Sequence, residues 1–298
     1  MYWNNLNDWL KTEYGTKVYK LALSSGCSCP NRDGTLGNRG CIFCDGAGAF
    51  AEAGDISAQL TAAKGRVSAK VGPNAKYIAY FQSFTNTYAP AETLRPLFEA
   101  AIAPEDVVAL SIATRPDCLP EDIMALLAEL NRIKPVWVEL GLQTIHPASA
   151  RYIRRGYDLP VFDEAVQKLK AAGITVIVHQ ILGLPGETAE MMAETAQYIG
   201  SSGADGVKFH LLHVLRSTDL VADWQDGKFE TMDLETYIAV LEDCLRSIPR
   251  EMVVHRLTGD GAKRDLLSPL WSGDKKRVLN AIHTAFLRDD LEQGSALI

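Results

Sequence analysis

Four of the chain's six cysteines fall in one stretch, Cys27-Ser28-Cys29-Pro30-Asn31-Arg32-Asp33-Gly34, which runs on through Gly37 and Gly40 to Cys41-Ile42-Phe43-Cys44. A glycine-rich, turn-prone loop can bend thiolates toward one point, as a metal ion or an iron–sulfur cluster requires. Cys41-x-x-Cys44 presents two sulfurs from one tight turn, and Cys29 or Cys27 supplies the third. Zinc normally takes a second Cys-x-x-Cys or a Cys/His pair, and neither follows within a short distance. Three ligands are therefore more natural here than four, and a cluster held by three thiolates keeps one iron open. Free cysteines also pack as small hydrophobes, but packing does not call for clustering in such a loop. A thioredoxin-like role for Cys41 and Cys44 is weak, because that motif normally opens a helix near a βαβ pattern. A non-catalytic zinc-binding protein stays as the reading from another class.

Cys-x-aromatic-Cys preceded by a further cysteine resembles the cluster loop of radical S-adenosylmethionine (SAM) enzymes. The gap from Cys29 to Cys41 is longer than usual there. That departure marks one branch, the Elp3/MiaA/NifB-like core proteins of the YhcC/YtqA type, which carry the Cys-Pro-Asn-Arg-Asp-Gly found at 29–34. Further motifs resemble the same branch in the same order: Thr114-Arg115-Pro116-Asp117, Glu139-Leu140-Gly141-Leu142-Gln143, Ile153-Arg154-Arg155-Gly156-Tyr157 and Gly183-Leu184-Pro185-Gly186-Glu187. The likeness covers nearly the whole chain, from Lys17 to the neighbourhood of His255-Arg256. It implies that Cys29, Cys41 and Cys44 hold a 4Fe–4S cluster, with Cys27 a neighbour and Phe43 packed near the cofactor. It places Gln82, Glu139, Gln143, Arg154 or Arg155, and the Gly183 region around SAM. It further implies reductive cleavage of SAM to a 5′-deoxyadenosyl radical, with an electron donor such as flavodoxin or ferredoxin. Bacillus-type members of the group imply a tRNA substrate, a wobble uridine whose carboxymethylaminomethyl group becomes aminomethyl. Thr258-Gly259-Asp260-Gly261 looks most like those members. A radical enzyme acting on a small metabolite or a protein side chain is the alternative.

The elements that must position such a loop read as strand and helix in alternation. Strands are expected at 18–23, 77–81, 107–112, 136–140, 174–181 and 207–214, from short β-branched and apolar runs. Helices are expected at 91–101, 120–132, 159–172, 188–202 and 234–248, with a further helix opening at Asp55 and a short amphipathic one at 7–14. That order argues a parallel α/β architecture. No Gly-x-Gly-x-x-Gly follows the first strand, so a partial, six-stranded (β/α) TIM-like barrel fits better than a dinucleotide fold. Residues 1–250 are assigned to this core and 251–298 to a C-terminal extension covering it. Chemistry should then gather at the C-terminal ends of the strands.

The polar residues fall there. Gln82 to Thr87, including Thr85, form an uncharged run able to bond a zwitterion. Arg115 can clamp a carboxylate in bidentate fashion, with Asp117 fixing it and Cys118 beside it as a catalytic candidate. Glu139, Gly141 and Gln143 share one strand face, and a carboxylate among apolar residues needs a partner. Lys208 and His210 share another and are the remaining catalytic candidates, His213 facing away; His179, His255 and Asp260 are lesser ones.

Composition fits a globular enzyme: 298 residues, 47% apolar and 22% charged. The absence of a bilayer-length apolar run and of a signal-like N-terminus points to a cytoplasmic protein with reduced thiols and no membrane partner. A net charge of −7 argues against a generally basic nucleic-acid binder but permits local patches. Candidates are Lys11, Lys17, Lys20, Arg32 and Arg39 near the loop, Arg151, Arg154 and Arg155, Lys263 and Arg264, and Lys275-Lys276-Arg277.

Overall fold

The computed structural model describes residues 2–46, 54–72, 74–259, 261 and 263–297; Asp260 lies outside them. In chain order the elements are α1 (Leu6–Tyr14), β1 (Val18–Leu23), α2 (Ile56–Val67), β2 (Lys76–Phe81), α3 (Ala91–Ile102), β3 (Val107–Thr114), α4 (Glu121–Asn131) and β4 (Val136–Gln143). They continue with α5 (Pro147–Tyr152), α6 (Leu159–Ala171), β5 (Thr175–Leu182), α7 (Ala189–Ser201), β6 (Gly206–Leu211), β7 (Val214–Leu215) and α8 (Leu220–Gln225). The last are α9 (Leu234–Arg246), β8 (Val253–Arg256), β9 (Leu266–Ser268) and α10 (Lys275–Arg288).

Among the described residues one parallel sheet of seven strands runs β1-β2-β3-β4-β5-β6-β8 and curls into a half-barrel; β7 and β9 pair as a separate antiparallel ribbon. All six expected strands are present. The seventh, β8, pairs with β6 and comes from the segment assigned to the extension. Only four residues long and ending in His255-Arg256, it carries no apolar alternation to read. Its outer edge is met by Asn5, which bridges to Val254. There Val254 N–H donates to the Asn4 carbonyl at 2.8 Å, which pairs part of an otherwise open edge.

Strands covered on both faces are apolar almost throughout, and β3 is buried at seven of its eight residues. The helices show one apolar stripe each; in α3, Leu94, Phe98, Ala101 and Ile102 recur at helical spacing and face the sheet. Asn5, Asp55, Thr188, Asp233 and Asp274 cap five helices by accepting backbone N–H groups. No described helix is long and apolar enough to cross a membrane.

The barrel interior is layered. At the bottom, Val18, Ile78, Ala109, Trp137 and Ile177 form an apolar cluster plugged by Leu10 of α1. Two residues further along each strand the same face turns polar, with Lys20, Tyr80, Ser111, Glu139, His179 and Lys208. Above that layer lies an open cavity. The two-residue repeat of a strand makes this stacking possible.

Candidate active site

The cysteine loop is built from backbone turns. The Cys29 carbonyl accepts from Arg32 and Asp33 N–H at 2.8 and 3.2 Å, and the Asn31 carbonyl accepts from Gly40 N–H at 2.7 Å. Cys44 N–H donates to the Cys41 carbonyl at 3.0 Å, closing the tight turn expected of Cys-x-x-Cys. Two side chains brace it. Asn31 Nδ2 donates to Cys41 Sγ at 3.3 Å and to the Arg154 carbonyl at 2.7 Å. Arg32 Nη2 donates to the Cys44 carbonyl at 2.6 Å. Its guanidinium lies against Gly40 and Gly46, where a Cβ would sit 2.8 Å away at either position. Both glycines also have positive φ, so a side chain there would be strained and would displace the Arg32 guanidinium. Arg32 is thus a strut of the loop and not an open surface cation.

Cys29, Cys41 and Cys44 are all half-buried and act together on the charge of Arg32; Cys29 and Cys41 also act on Arg115. Burial first, and then the neighbouring Cys44, push the Cys41 thiol up to about 11. Cys27 faces another way, with Sγ 4.0 Å from the Asn86 carbonyl and its thiol raised mainly by burial. Among the described residues, no three His, Cys, Asp or Glu side chains are gathered tightly enough to hold a single ion. A cluster that takes one thiolate per iron needs wider spacing, and three soft donors beside two guanidiniums suit an anionic iron–sulfur centre.

A cavity of about 910 Å³ opens beside the loop at the C-terminal ends of the strands. Phe43 and Cys44 form one wall, Gln82, Ser83 and Phe84 a second, and Gln143, His179 and His210 the floor. His213, Arg256, Lys263 and Arg264 close the far side. His213, expected to face away, lies in the turn after β6 and reaches the cavity from there. A Cβ on Gly259 would meet its ring at 2.6 Å, and its Nε2 bonds Ser272 Oγ at 3.0 Å. Gly259 and Gly261 therefore line the cavity with their backbone close against the His213 ring. A groove of about 800 Å³ on the loop's outer face, lined by Asn31, Arg39, Arg151 and Arg154, contains none of the thiols.

Beneath the cavity Glu139 is wholly enclosed. Oε1 accepts from Lys20 Nζ at 2.9 Å and Ser111 Oγ at 2.8 Å; Oε2 accepts from Tyr80 OH at 2.8 Å, His179 Nε2 at 2.9 Å, and Lys208 Nζ. Burial opposes its charge, but Lys20, Lys208 and His179 outweigh it and hold the carboxyl well below the usual range. Lys20, expected among the basic residues around the loop, is part of this core. His179 is neutral: burial, the largest influence, brings it from the ordinary 6.5 to about 4 against the pull of Glu139. A depressed histidine lets the unfolded chain take up the proton first, so stability falls as pH drops from 6.5 to about 4. The loss is on the order of 3 kcal/mol for this residue. Urea titrations across that window should show it, and His179→Gln should flatten the slope.

Of the residues expected to act, Phe43, Gln82, Gln143 and His210 meet at the cavity. Glu139 and Lys208 lie one layer down and bond each other. Thr85, Arg115, Cys118, Arg154, Arg155 and Gly183 do not line it. Arg115 forms a bidentate pair with Asp117 at 2.9 and 2.7 Å and donates to the Arg155 carbonyl at 2.7 Å. Arg155 donates to the carbonyls of Leu142, Thr144 and Tyr157, and Arg154 pairs with Asp219. Their guanidiniums thus brace backbone and loop. Thr85 is buried and ties its N–H to the Ser28 carbonyl. Gly183, at φ 89°, packs on Met232, whose Cε would lie 2.8 Å from an added Cβ. Cys118 is buried, its thiol pushed up to about 12 by burial and Asp117, so it is held protonated. Sequence reasoning passed over Phe84, whose signal is a positive φ invisible in residue type, and over Tyr80 as a partner of Glu139.

Residues 34–199 match the family model of the radical SAM superfamily. The chain belongs to that superfamily. Residues 204–288 of this radical SAM enzyme match the model of its C-terminal domain. Protein YtqA of Bacillus subtilis is 47% identical over 94% of this chain and 88% of its own length. A tRNA uridine(34) acetyltransferase of Methanocaldococcus infernus is 30% identical over 51% of this chain and 29% of its own. The solved structure of Methanocaldococcus infernus Elp3, with an N-terminal deletion, superposes with a TM-score of 0.72 at 20% identity. It covers 93% of this chain and 64% of that one. That likeness establishes the half-barrel fold, and the superfamily establishes an enzyme that uses SAM.

Proposed function

We propose that Cys29, Cys41 and Cys44 hold a 4Fe–4S cluster and that the enzyme modifies the wobble uridine of tRNA, converting carboxymethylaminomethyl-uridine to aminomethyl-uridine. When bound and reduced by a carrier such as flavodoxin or ferredoxin, the cluster supplies the electron that cleaves SAM to the hydrogen-abstracting 5′-deoxyadenosyl radical. Phe43, Gln82 and Gln143 orient SAM in the cavity, and the apolar shell behind Phe43, with Ile153, Ile181 and Leu212, excludes water. The hydrogen-bonded Glu139 layer forms the base beneath; burial pulls the Lys208 ammonium well below its ordinary range, with Glu139 working against that.

The observation that carries the tRNA reading is the basic far side of the cavity. Arg256, Lys263 and Arg264 line it together with Asp265, which accepts from Arg264 Nε at 2.9 Å, and α10 begins with Lys275-Lys276-Arg277 just beyond Ser272, which is bonded to His213 of the cavity wall. An acidic protein that binds a polyanion needs such a local surface. The likeness of half the chain to a tRNA uridine(34) acetyltransferase supports the same substrate class.

Mass spectrometry of tRNA nucleosides from a strain lacking the gene should show carboxymethylaminomethyl-uridine accumulating. In the purified enzyme, tRNA affinity should fall steeply with salt, because each neutralised phosphate releases counterions. Reversal of Lys275, Lys276 and Arg277 to glutamate should weaken tRNA binding across sequences and flatten the salt slope. An unchanged nucleoside profile together with no tRNA binding at low salt would transfer the reading to a small metabolite or a peptide.

A further inference from the structure

The loop after β2 is anchored at almost every residue. Asn86 is fully buried, its Nδ2 donating to the carbonyls of Phe81 and Ala113 at 3.0 and 2.9 Å. Its Oδ1 accepts from Ser25 Oγ at 2.7 Å. Thr85 N–H bonds the Ser28 carbonyl, and Tyr88 N–H bonds that of Thr85. Against this frame Phe84 stands out. Its φ is 61°, a left-handed backbone that bulky side chains rarely adopt. Its ring is 39% exposed and lines the mouth of the cavity beside Cys44. Arg32, fixed by the Cys44 carbonyl, brings its guanidinium to 5.9 Å from the ring centroid. The backbone on its C-terminal side is anchored, while the Phe84 side chain itself faces outward. Strain stored at the edge of a functional site points to a ligand.

Two features narrow the ligand. An exposed aromatic face in contact with an arginine suits a flat π-system, since stacking and the cation–π contact act together. The same mouth carries Lys263 and Arg264, with the start of α10 next to it, which suits phosphates on either side of that π-system. Bases turned out of a strand are read in this way, by an aromatic platform and a basic collar. Deeper in the cavity, His210 Nε2 is buried without a hydrogen-bond partner among the described residues, available to a polar substituent of the base. We propose that Phe84 is the platform on which a substrate nucleobase, turned out of its RNA loop, stacks as it enters the cavity. This inference rests on the tRNA reading above.

The test uses cluster-reconstituted enzyme and an anticodon stem-loop RNA, with binding followed by fluorescence anisotropy at one fixed low salt concentration. Phe84→Ala should lower affinity roughly 5- to 150-fold, the range for losing one stacked base. Phe84→Tyr should keep most of it. Phe84→Trp should bind and show quenching of the new indole emission by the RNA, which keeps the idea testable if the alanine variant folds poorly. Equal affinity in wild type and Phe84→Ala, or a tryptophan that binds RNA without quenching, overturns the platform and leaves the tRNA reading intact. A wild type that does not bind the stem-loop removes both. If calorimetry shows Phe84→Ala losing affinity for SAM while RNA affinity is unchanged, the ring serves the cofactor and the proposal fails.

Discussion

Replacement of Cys29, Cys41 or Cys44 by alanine should each abolish cluster assembly, while Cys27→Ala leaves it largely intact, when iron and sulfide are counted after anaerobic reconstitution. The expected difference is all-or-none, because a cluster with three protein ligands has no spare thiolate. Cys29, Cys41 and Cys44 act on one another and on Arg32, whereas Cys27 lies against Asn86. Cys118 and Cys244 cannot substitute: both are buried, and burial raises both thiols. Loss of iron in Cys27→Ala with retention in Cys29→Ala would reverse the assignment. The loop should also depend on its strut. Arg32 touches the Cys44 carbonyl and closes over two glycines, so a weakened cluster in Arg32→Ala would come from a loosened loop with all thiols present.

How much of this was legible without coordinates follows from the range of each interaction. The strands and helices repeat locally, so their periodicity shows them, and the turn that brings Cys41 to Cys44 spans four residues. Glu139 stood out as a carboxylate on an apolar strand, and its need of a partner followed from burial alone. Which partners it takes did not follow. Lys20 is 119 residues away in sequence and Lys208 is 69, and only closure of the sheet brings β1 and β6 to face β4. For the same reason Lys20 and Arg32 looked like part of a surface patch, although one is a core cation and the other a loop strut. Arg115 and Arg155 have the residue type of an anion clamp, yet their donors are taken up by Asp117 and by backbone carbonyls. Residue type gives the donors a side chain carries, and the fold decides where they point. Phe84 is the converse case: its type suggests the core, and a single backbone angle turns it outward.

That long-range closure makes Glu139 the position whose loss should most disturb the fold. On strand face alone, Glu139→Ala and Gln143→Ala are expected to weaken SAM binding alike. Their surroundings separate them. Gln143 opens into the cavity, so removing its side chain should lower SAM affinity about tenfold or more, with little change in stability. Glu139 accepts from Lys20, Tyr80, Ser111, His179 and Lys208 and is fully enclosed. Its removal leaves Lys208 buried without its carboxylate, and the Tyr80 O–H without its acceptor, although that hydroxyl still accepts from Lys208 Nζ at 3.0 Å. Breaking a buried ion pair from one side costs about 3–5 kcal/mol, a large share of the stability of a typical domain. Glu139→Ala should therefore unfold at markedly lower urea concentration, with SAM affinity reduced only as the floor of the cavity loosens. Glu139→Gln keeps two polar atoms for Tyr80 and Ser111 and should fall between the two. The double variant Glu139→Leu with Lys208→Met removes both charges together and should recover part of the loss, because a well-packed apolar pair avoids the desolvation penalty. Equal urea midpoints for wild type and Glu139→Ala, with SAM binding abolished, would mean that Glu139 acts on the cofactor and not as the electrostatic centre of the barrel.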